Sequence, residues 1–351
     1  MNKVPKTMCG VVLLGHGGPE MLAYRDDLAV PDPGLGEVLV RVVAAGVNNT
    51  DINTRTAWYS KSDQASDDAS WSGEALQFPR IQGADVCGEI VAVGDGIDHK
   101  RVGERILIEP CLREAGGRIL DKPWYFGSEC DGGFAEYTIV AARHAYAIHS
   151  PLSSLELASF PCSYSTAENM LTRAKVQAGE MVLITGASGG VGSAAIQLAK
   201  ARGADVIAIT SPAKSDTLRD IGADKIVHRG EGYGENLNTN SVDTVIDLVG
   251  GPQWPELLDI LRPGGRYAVS GAIGGPLVEL DIRTLYLKDL SFFGCTVLES
   301  DVFKSLISHI ESGRISPLVA ETYSLNKIAD AQASFATKKH TGKIVLEVSA
   351  Q

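Results

Sequence analysis

The rhythm of apolar and polar positions changes twice along this chain. Up to about residue 150, short apolar runs broken by Gly and Pro predict strands at Glu37–Ala45, Asp85–Val93, Arg105–Glu109 and Ala135–Val140. Strands of this length with turn residues between them predict a compact β-barrel-like domain. From about 153 to 298 apolar runs alternate with helical stretches. Strands are expected at Val182–Thr185, Val206–Thr210, Lys225–His228, Thr244–Leu248, Arg266–Ser270 and Ser291–Val297. Buried runs separated by helices predict a parallel sheet covered on both faces. Beyond 300, helices near Phe303–Ser312 and Lys327–Ala336 and a last strand at Lys343–Val348 read as a return to the first domain. The expected fold class is α/β: a doubly wound parallel sheet over 153–299, with a β-barrel domain split between 1–152 and 300–351. A stretch rich in Ser and Asp, Ser60–Ser72, reads as a solvated insertion or a mobile lid.

Inside the alternating region, the strand Val182–Thr185 runs into Gly186, Gly189, Gly190 and Gly192; a helix at Ser193–Arg202 and the strand Val206–Thr210 follow. Glycines let a backbone turn tightly and approach a pyrophosphate, and a helix N-terminus offers it free N–H groups. The spacing is G-x-x-G-x-x-G, and the strand–turn–helix–strand context that such a pattern needs is present. A dinucleotide is therefore expected on Gly186, Ser188, Gly189, Gly190, Val191 and Gly192. A site for NAD carries a carboxylate for the ribose 2′-OH roughly twenty residues past the glycines, whereas a cation and hydroxyls suit the 2′-phosphate of NADP. Here the strand ends Thr210-Ser211-Pro212-Ala213-Lys214, with Asp205 at its opposite end and Asp216 opening the next helix. Ser211 and Lys214 are the expected 2′-phosphate residues, and NADP(H) the expected cofactor. Gly250, Ser270 and Gly271 follow later strands at the carboxyl edge, where open parallel sheets bind ligands, and join the cofactor set.

Composition narrows the class. The 351 residues suffice for two domains with their own cores. A net charge of −11 argues against a general nucleic-acid surface, which needs clustered cations. No apolar run approaches a membrane span and no leader pattern opens the chain. The six cysteines are dispersed without a C-x-x-C pair, as in a reducing cytoplasm.

Several motifs together resemble the medium-chain dehydrogenase/reductase superfamily over nearly the whole chain: GVNNTDINTR (46–55), GADVCGEIVAVG (83–94), VGERI (102–106), DGGFAEY (131–137), the glycine-rich turn, LRPGGR (261–266) and TGKIVL (341–346). The resemblance implies a GroES-like catalytic domain, a Rossmann dinucleotide-binding domain and an active site in the cleft between them. Zinc members carry a cysteine where this chain has Asn48 and a histidine where it has Ala84, and zinc needs thiolate, imidazole or carboxylate ligands. Cys162 falls where a third ligand often sits and reads alone as a small buried residue. Of the four cysteines of the structural zinc lobe only Cys111 and Cys130 match, so no metal is expected. The zinc-free quinone oxidoreductase and enoyl reductase group has an Asn-x-x-Asp segment at this place and usually uses NADPH. At the same spacing, Tyr59 falls where mitochondrial-type enoyl reductases carry a tyrosine implicated in catalysis, although Ala57 replaces the glycine expected beside it.

The resemblance thus implies hydride transfer to a quinone or an α,β-unsaturated carbonyl. Asn48, Asn49 and Tyr59 are the catalytic candidates, since the oxygen of the acceptor needs hydrogen-bond donors and a proton. Asp51 is expected to cap a turn or pair with Arg55, with a direct part in the chemistry as the alternative. Thr166 and Lys343 are expected at the cofactor, with a core threonine and a salt bridge as their alternatives. A homodimer through the edge strand Phe292–Val297 is also implied. Two alternatives stand beside this: a zinc-type alcohol dehydrogenase with unusual ligands, and a NADPH-binding protein with little turnover.

Overall fold

The computed structural model describes residues 4–61 and 70–349, so residues 62–69 of the polar insertion lie outside the described residues. The chain divides into two compact units, one running up to Cys162 and resuming at Val319, the other Ser163–Leu318. The division therefore falls later than 152 and 299. The first boundary lies inside the helix Pro161–Arg173. The helix Val302–Glu311 belongs to the second unit, where Ser305 Oγ donates to Glu168 Oε1 at 3.0 Å.

The first unit is built on a seven-stranded sheet. Its spatial order is Ala145–Ala147, Arg105–Ile108, Asp85–Val93, Glu37–Val47, Lys343–Glu347 and Val319–Ser324, with Tyr137–Ala141 also paired to Glu37–Val47. The central strand Glu37–Val47 is buried at all but one position, as its continuous apolar run requires. Val38, Val40, Val42, Val86, Ile90, Ile106, Ile344 and Leu346 form much of the core. Gly46 pairs with Asp85, and Val47 with Ile344, so the ends of three neighbouring strands bring Asn48, Asp85 and Lys343 to one place. A smaller sheet (Thr7–Leu13, Leu22–Ala29, Arg80–Ile81) and the hairpin Cys111–Ala115/Arg118–Tyr125 complete this unit.

The second unit is a parallel sheet of Met181–Ile184, Asp205–Thr210, Lys225–His228, Val242–Asp247, Leu261–Val269 and Ser291–Gly294. Numbered in chain order, these six strands lie 3-2-1-4-5-6, the doubly wound dinucleotide-binding order. Crossing over between the first and fourth strands leaves a crevice at their carboxyl ends, and the glycine-rich turn follows the first of them. Leu183, Ile207, Val245, Trp254, Leu257 and Tyr267 pack on one face. The helix after the turn starts at Gly190, three residues before the expected Ser193.

Candidate active site

In the second unit each glycine of the turn has its own reason. Gly186 has φ +56, a left-handed conformation that suits glycine. A Cβ on Gly192 would lie 2.4 Å from the Gly186 carbonyl oxygen, so only glycine lets the helix Gly190–Ala201 pack this close. Gly189 is the helix N-cap, is exposed, and a Cβ there would meet nothing nearer than 3.5 Å. Its backbone is open to a ligand, and the first N–H groups of the helix, including those of Gly190, Val191 and Gly192, have no intrahelical acceptor. Lys214 Nζ lies 3.4 Å from Ser188 Oγ, so the expected 2′-phosphate lysine reaches the turn. The carboxylate nearest to it in sequence is committed elsewhere: Asp216 Oδ1 accepts from Arg219 Nη1 at 2.9 Å.

Asp247, which sequence reasoning missed, organises the next strand end. It is fully buried and accepts from Thr185 Oγ1 (2.6 Å), Tyr267 Oη (2.6 Å) and the N–H groups of Val249 (2.9 Å) and Gly250 (3.1 Å). An acid closing an apolar strand was the available signal. Gly250, at φ +63, is thereby held at the carboxyl edge. Ser270 Oγ is committed to the Cys295 carbonyl at 2.8 Å, and a Cβ on Gly271 would lie 2.7 Å from the Leu248 oxygen. Thr166 is the half-buried residue in a stretch of its helix, Pro161–Met170, that is otherwise buried. These residues fit a dinucleotide at the carboxyl edge.

In the first unit, the strand ends hold a buried charge cluster. Asp85 Oδ2 accepts from Lys343 Nζ at 2.7 Å and from Asn48 Nδ2 at 2.8 Å, while Asp85 Oδ1 accepts from the Cys162 N–H at 2.5 Å. Lys343 Nζ also donates to Asn48 Oδ1 (2.5 Å) and the Val47 carbonyl (3.1 Å). Asp85 and Lys343 are 0% and 2% exposed. The Lys343 ammonium is committed within the first unit, which is the salt-bridge alternative given for it from the sequence. Gly46 is required beside this cluster, because a Cβ would lie 2.4 Å from Asp85 Oδ2.

Asp51 caps the short helix Asn49–Arg55 by accepting the Asn48 N–H at 2.7 Å; Arg55 pairs instead with Gln332 Oε1 and the Gly17 carbonyl. Burial pushes the Asp51 carboxyl up to about 7, against the Asn48 N–H and the Lys343 charge. The Asn49 side chain, unlike that of its buried neighbour Asn48, is exposed, and its Oδ1 accepts from Lys338 Nζ at 2.8 Å.

The place of the other metal ligands is filled differently. Ala84, Tyr125 and Cys162 form a small buried cluster with Trp71 packed on it. Tyr125 Oη lies 2.9 Å from Cys162 Sγ, and its ring stacks on Trp71 at 5.1 Å. Burial, and then the Asp85 charge, push the Cys162 thiol up to about 12. An amide that faces an ammonium and a methyl group supply no ligand at two of the three positions, which does not fit a catalytic zinc. Among the described residues, no group of three or more His, Cys, Asp or Glu is arranged to hold a metal ion.

Tyr59 Oη donates to Thr50 Oγ1 at 3.2 Å, and burial holds its phenol above the ordinary value. It follows Ala57, whose φ is +57. The alanine thus keeps the left-handed backbone for which a glycine was expected, at a cost of about 1 kcal/mol. Tyr125 has no motif around it that marks it in the sequence.

Comparison with known proteins agrees with both units. Residues 34–150 match the family model for the alcohol dehydrogenase GroES-like domain, and residues 190–312 that for zinc-binding dehydrogenases. The chain is 30% identical to a human (Homo sapiens) quinone oxidoreductase, over 97% of this chain and 98% of that one. It is 28% identical to an NADPH-dependent alkenal/one oxidoreductase of Arabidopsis thaliana, over 98% and 80%. A solved structure from Sinorhizobium meliloti 1021, named as a candidate alcohol dehydrogenase, superposes with a TM-score of 0.92 at 46% identity, over 99% of both chains. With motifs, strand order and full-length similarity in accord, this chain belongs to the medium-chain dehydrogenase/reductase superfamily, in its zinc-free quinone oxidoreductase branch.

Proposed function

We propose that this oxidoreductase is an NADPH-dependent reductase of quinones or α,β-unsaturated carbonyls that works without a metal. The observation that carries the proposal is the Asn48–Asp85–Lys343 cluster with Ala84 beside it. Where zinc members polarise a carbonyl, this chain has an internal ion pair whose charges already satisfy each other. An acceptor that spreads its own developing charge, such as an enone or a quinone, suits such a site. Bound NADPH supplies the hydride. Tyr59 would then hydrogen-bond the acceptor's oxygen and deliver the proton, because a phenol held above its ordinary pKa stays protonated across the neutral range. Asn48 contributes by placement: both ends of its carboxamide are engaged by Lys343 and Asp85, which fixes the wall beside the substrate.

The names of the quinone oxidoreductase and alkenal/one reductase relatives support the acceptor class. The alcohol dehydrogenase name of the 46%-identical structure supports the second reading, oxidation of an alcohol. The acceptor panel separates them. NADPH consumption with quinones and enones should exceed NADP⁺ reduction by primary and secondary alcohols; the reverse order would establish the alcohol dehydrogenase. Tight NADPH binding without turnover on any acceptor would establish a cofactor-binding protein.

The same reading includes a homodimer and a cytoplasmic protein. Ser291–Gly294 bonds a neighbour on one side only, and Leu277 and Leu287 nearby in sequence are 91% and 71% exposed. An unpaired apolar edge favours a second copy as its cover. No described helix is long and apolar enough to cross a membrane.

A further inference from the structure

We propose that Arg229 is a second cation of the nucleotide site, acting with Lys214 on the phosphate monoester at the ribose 2′-position; this rests on the NADPH reading above. Thr210 pairs with His228 across the second and third strands of the parallel sheet, and the Arg229 N–H donates to the Thr210 carbonyl at 2.8 Å. Ser211 and Arg229 therefore leave adjacent strand ends side by side. The chain turns at once into the tight helix Pro212–Lys214, where the Lys214 N–H returns to the Ser211 carbonyl at 3.1 Å. This sends Lys214 Nζ back to Ser188 of the glycine-rich turn. Burial, and then the charge of Arg229, hold the Lys214 ammonium below its usual range.

Two cations thus share one sheet edge, and the nearby carboxylates are turned to other partners. Asp216 pairs with Arg219, and Glu231 lies 3.4 Å from His228. Among the described residues, the Arg229 side chain has no hydrogen-bond or ion-pair partner. A second observation comes from the same strand end. Thr210 Oγ1 is buried in a residue 5% exposed and has no hydrogen-bond partner, an arrangement that is rare unless a ligand or water satisfies it. Like charges held together beside an orphaned hydroxyl favour an anion. The ribose hydroxyls of NAD would need a carboxylate here, and none is offered among the described residues. A guanidinium can instead grip two oxygens of a phosphate at once.

The test is calorimetric titration of the full chain with adenosine 2′,5′-bisphosphate and with adenosine 5′-monophosphate, so that activity is not the readout. The unaltered protein should bind the bisphosphate more than tenfold more tightly. Arg229→Gln should cut that preference about tenfold and leave the monophosphate affinity unchanged, as loss of one charge-assisted hydrogen bond predicts. Lys214→Gln should do the same, and Arg229→Lys should restore most of the loss. If Arg229→Gln keeps the full preference, the role of Arg229 is overturned and the NADPH reading stands. If the unaltered protein shows no preference, both fall. Inorganic phosphate binding as tightly as the bisphosphate would replace the nucleotide site with one for free phosphate, and so would also overturn the proposal.

Discussion

Lys343→Met is expected to destabilise the protein by about 3–5 kcal/mol, because it leaves the Asp85 carboxylate buried without its counter-charge. Asp85 and Lys343 side chains are 0% and 3% exposed, so water cannot take the place of the lost ammonium. The Asn48 amide and the Cys162 N–H remain as donors to Asp85, but neither carries a charge. Asn48 Oδ1 would lose its partner at the same time, freeing the carboxamide to rotate. Denaturant unfolding checks this. Lys343→Met should lower the midpoint sharply, and Lys343→Met combined with Asp85→Asn should cost less than the sum of the two single changes. Additive effects, or a loss below about 1 kcal/mol for Lys343→Met, would mean that the pair is not the keystone of this cluster.

The second large effect is on chemistry. Tyr59→Phe is expected to lower kcat about a hundredfold or more while the KM for NADPH stays near its original value. The substitution removes one oxygen, its hydrogen bond to Thr50, and the proposed proton source. The pH profile carries the same information. Since burial raises the phenol above its ordinary pKa, the unaltered protein should hold this proton throughout the neutral range and lose the dependent rate only on the alkaline side. Tyr59→Phe should abolish that alkaline limb. A kcat within threefold of the original, with the limb intact, would assign the proton to another group, of which Tyr125 is the nearest phenol in kind.

Much of the second unit was legible because local chemistry specifies it. Gly186 needs a left-handed φ and Gly192 tolerates no Cβ, so the turn leaves a mark in the sequence that survives without knowledge of its neighbours. Lys225–His228 begins and ends as expected, since polar residues bracket its apolar pair, and so does Asp85–Val93 in the first unit, which lies between Asp85 and the turn at Gly94. Other elements carry no such mark. Leu22–Ala29 is a largely exposed strand of mixed residues, and Val319–Ser324 alternates half-buried Val319, Glu321 and Tyr323 with exposed Ala320, Thr322 and Ser324. Asn49–Arg55 has no apolar stripe and is held by its Asp51 cap and by Arg55.

The charge cluster was hidden for a different reason. Asp85 and Lys343 are 258 residues apart in sequence and meet only because Glu37–Val47 lies between their strands. Asn48 and Ala84 did show in the sequence that zinc ligands are missing. They did not show what replaces them: an ammonium on the amide, and a tyrosine on the remaining thiol.

The central claim is reduction without a metal, and the direct measurement is NADPH oxidation by an enone and a quinone before and after exhaustive chelation, with metal content determined on the same sample. Turnover should be unchanged by chelation, with metal well below one equivalent per chain. Stoichiometric zinc whose removal abolishes turnover, and whose return restores it, would contradict the claim.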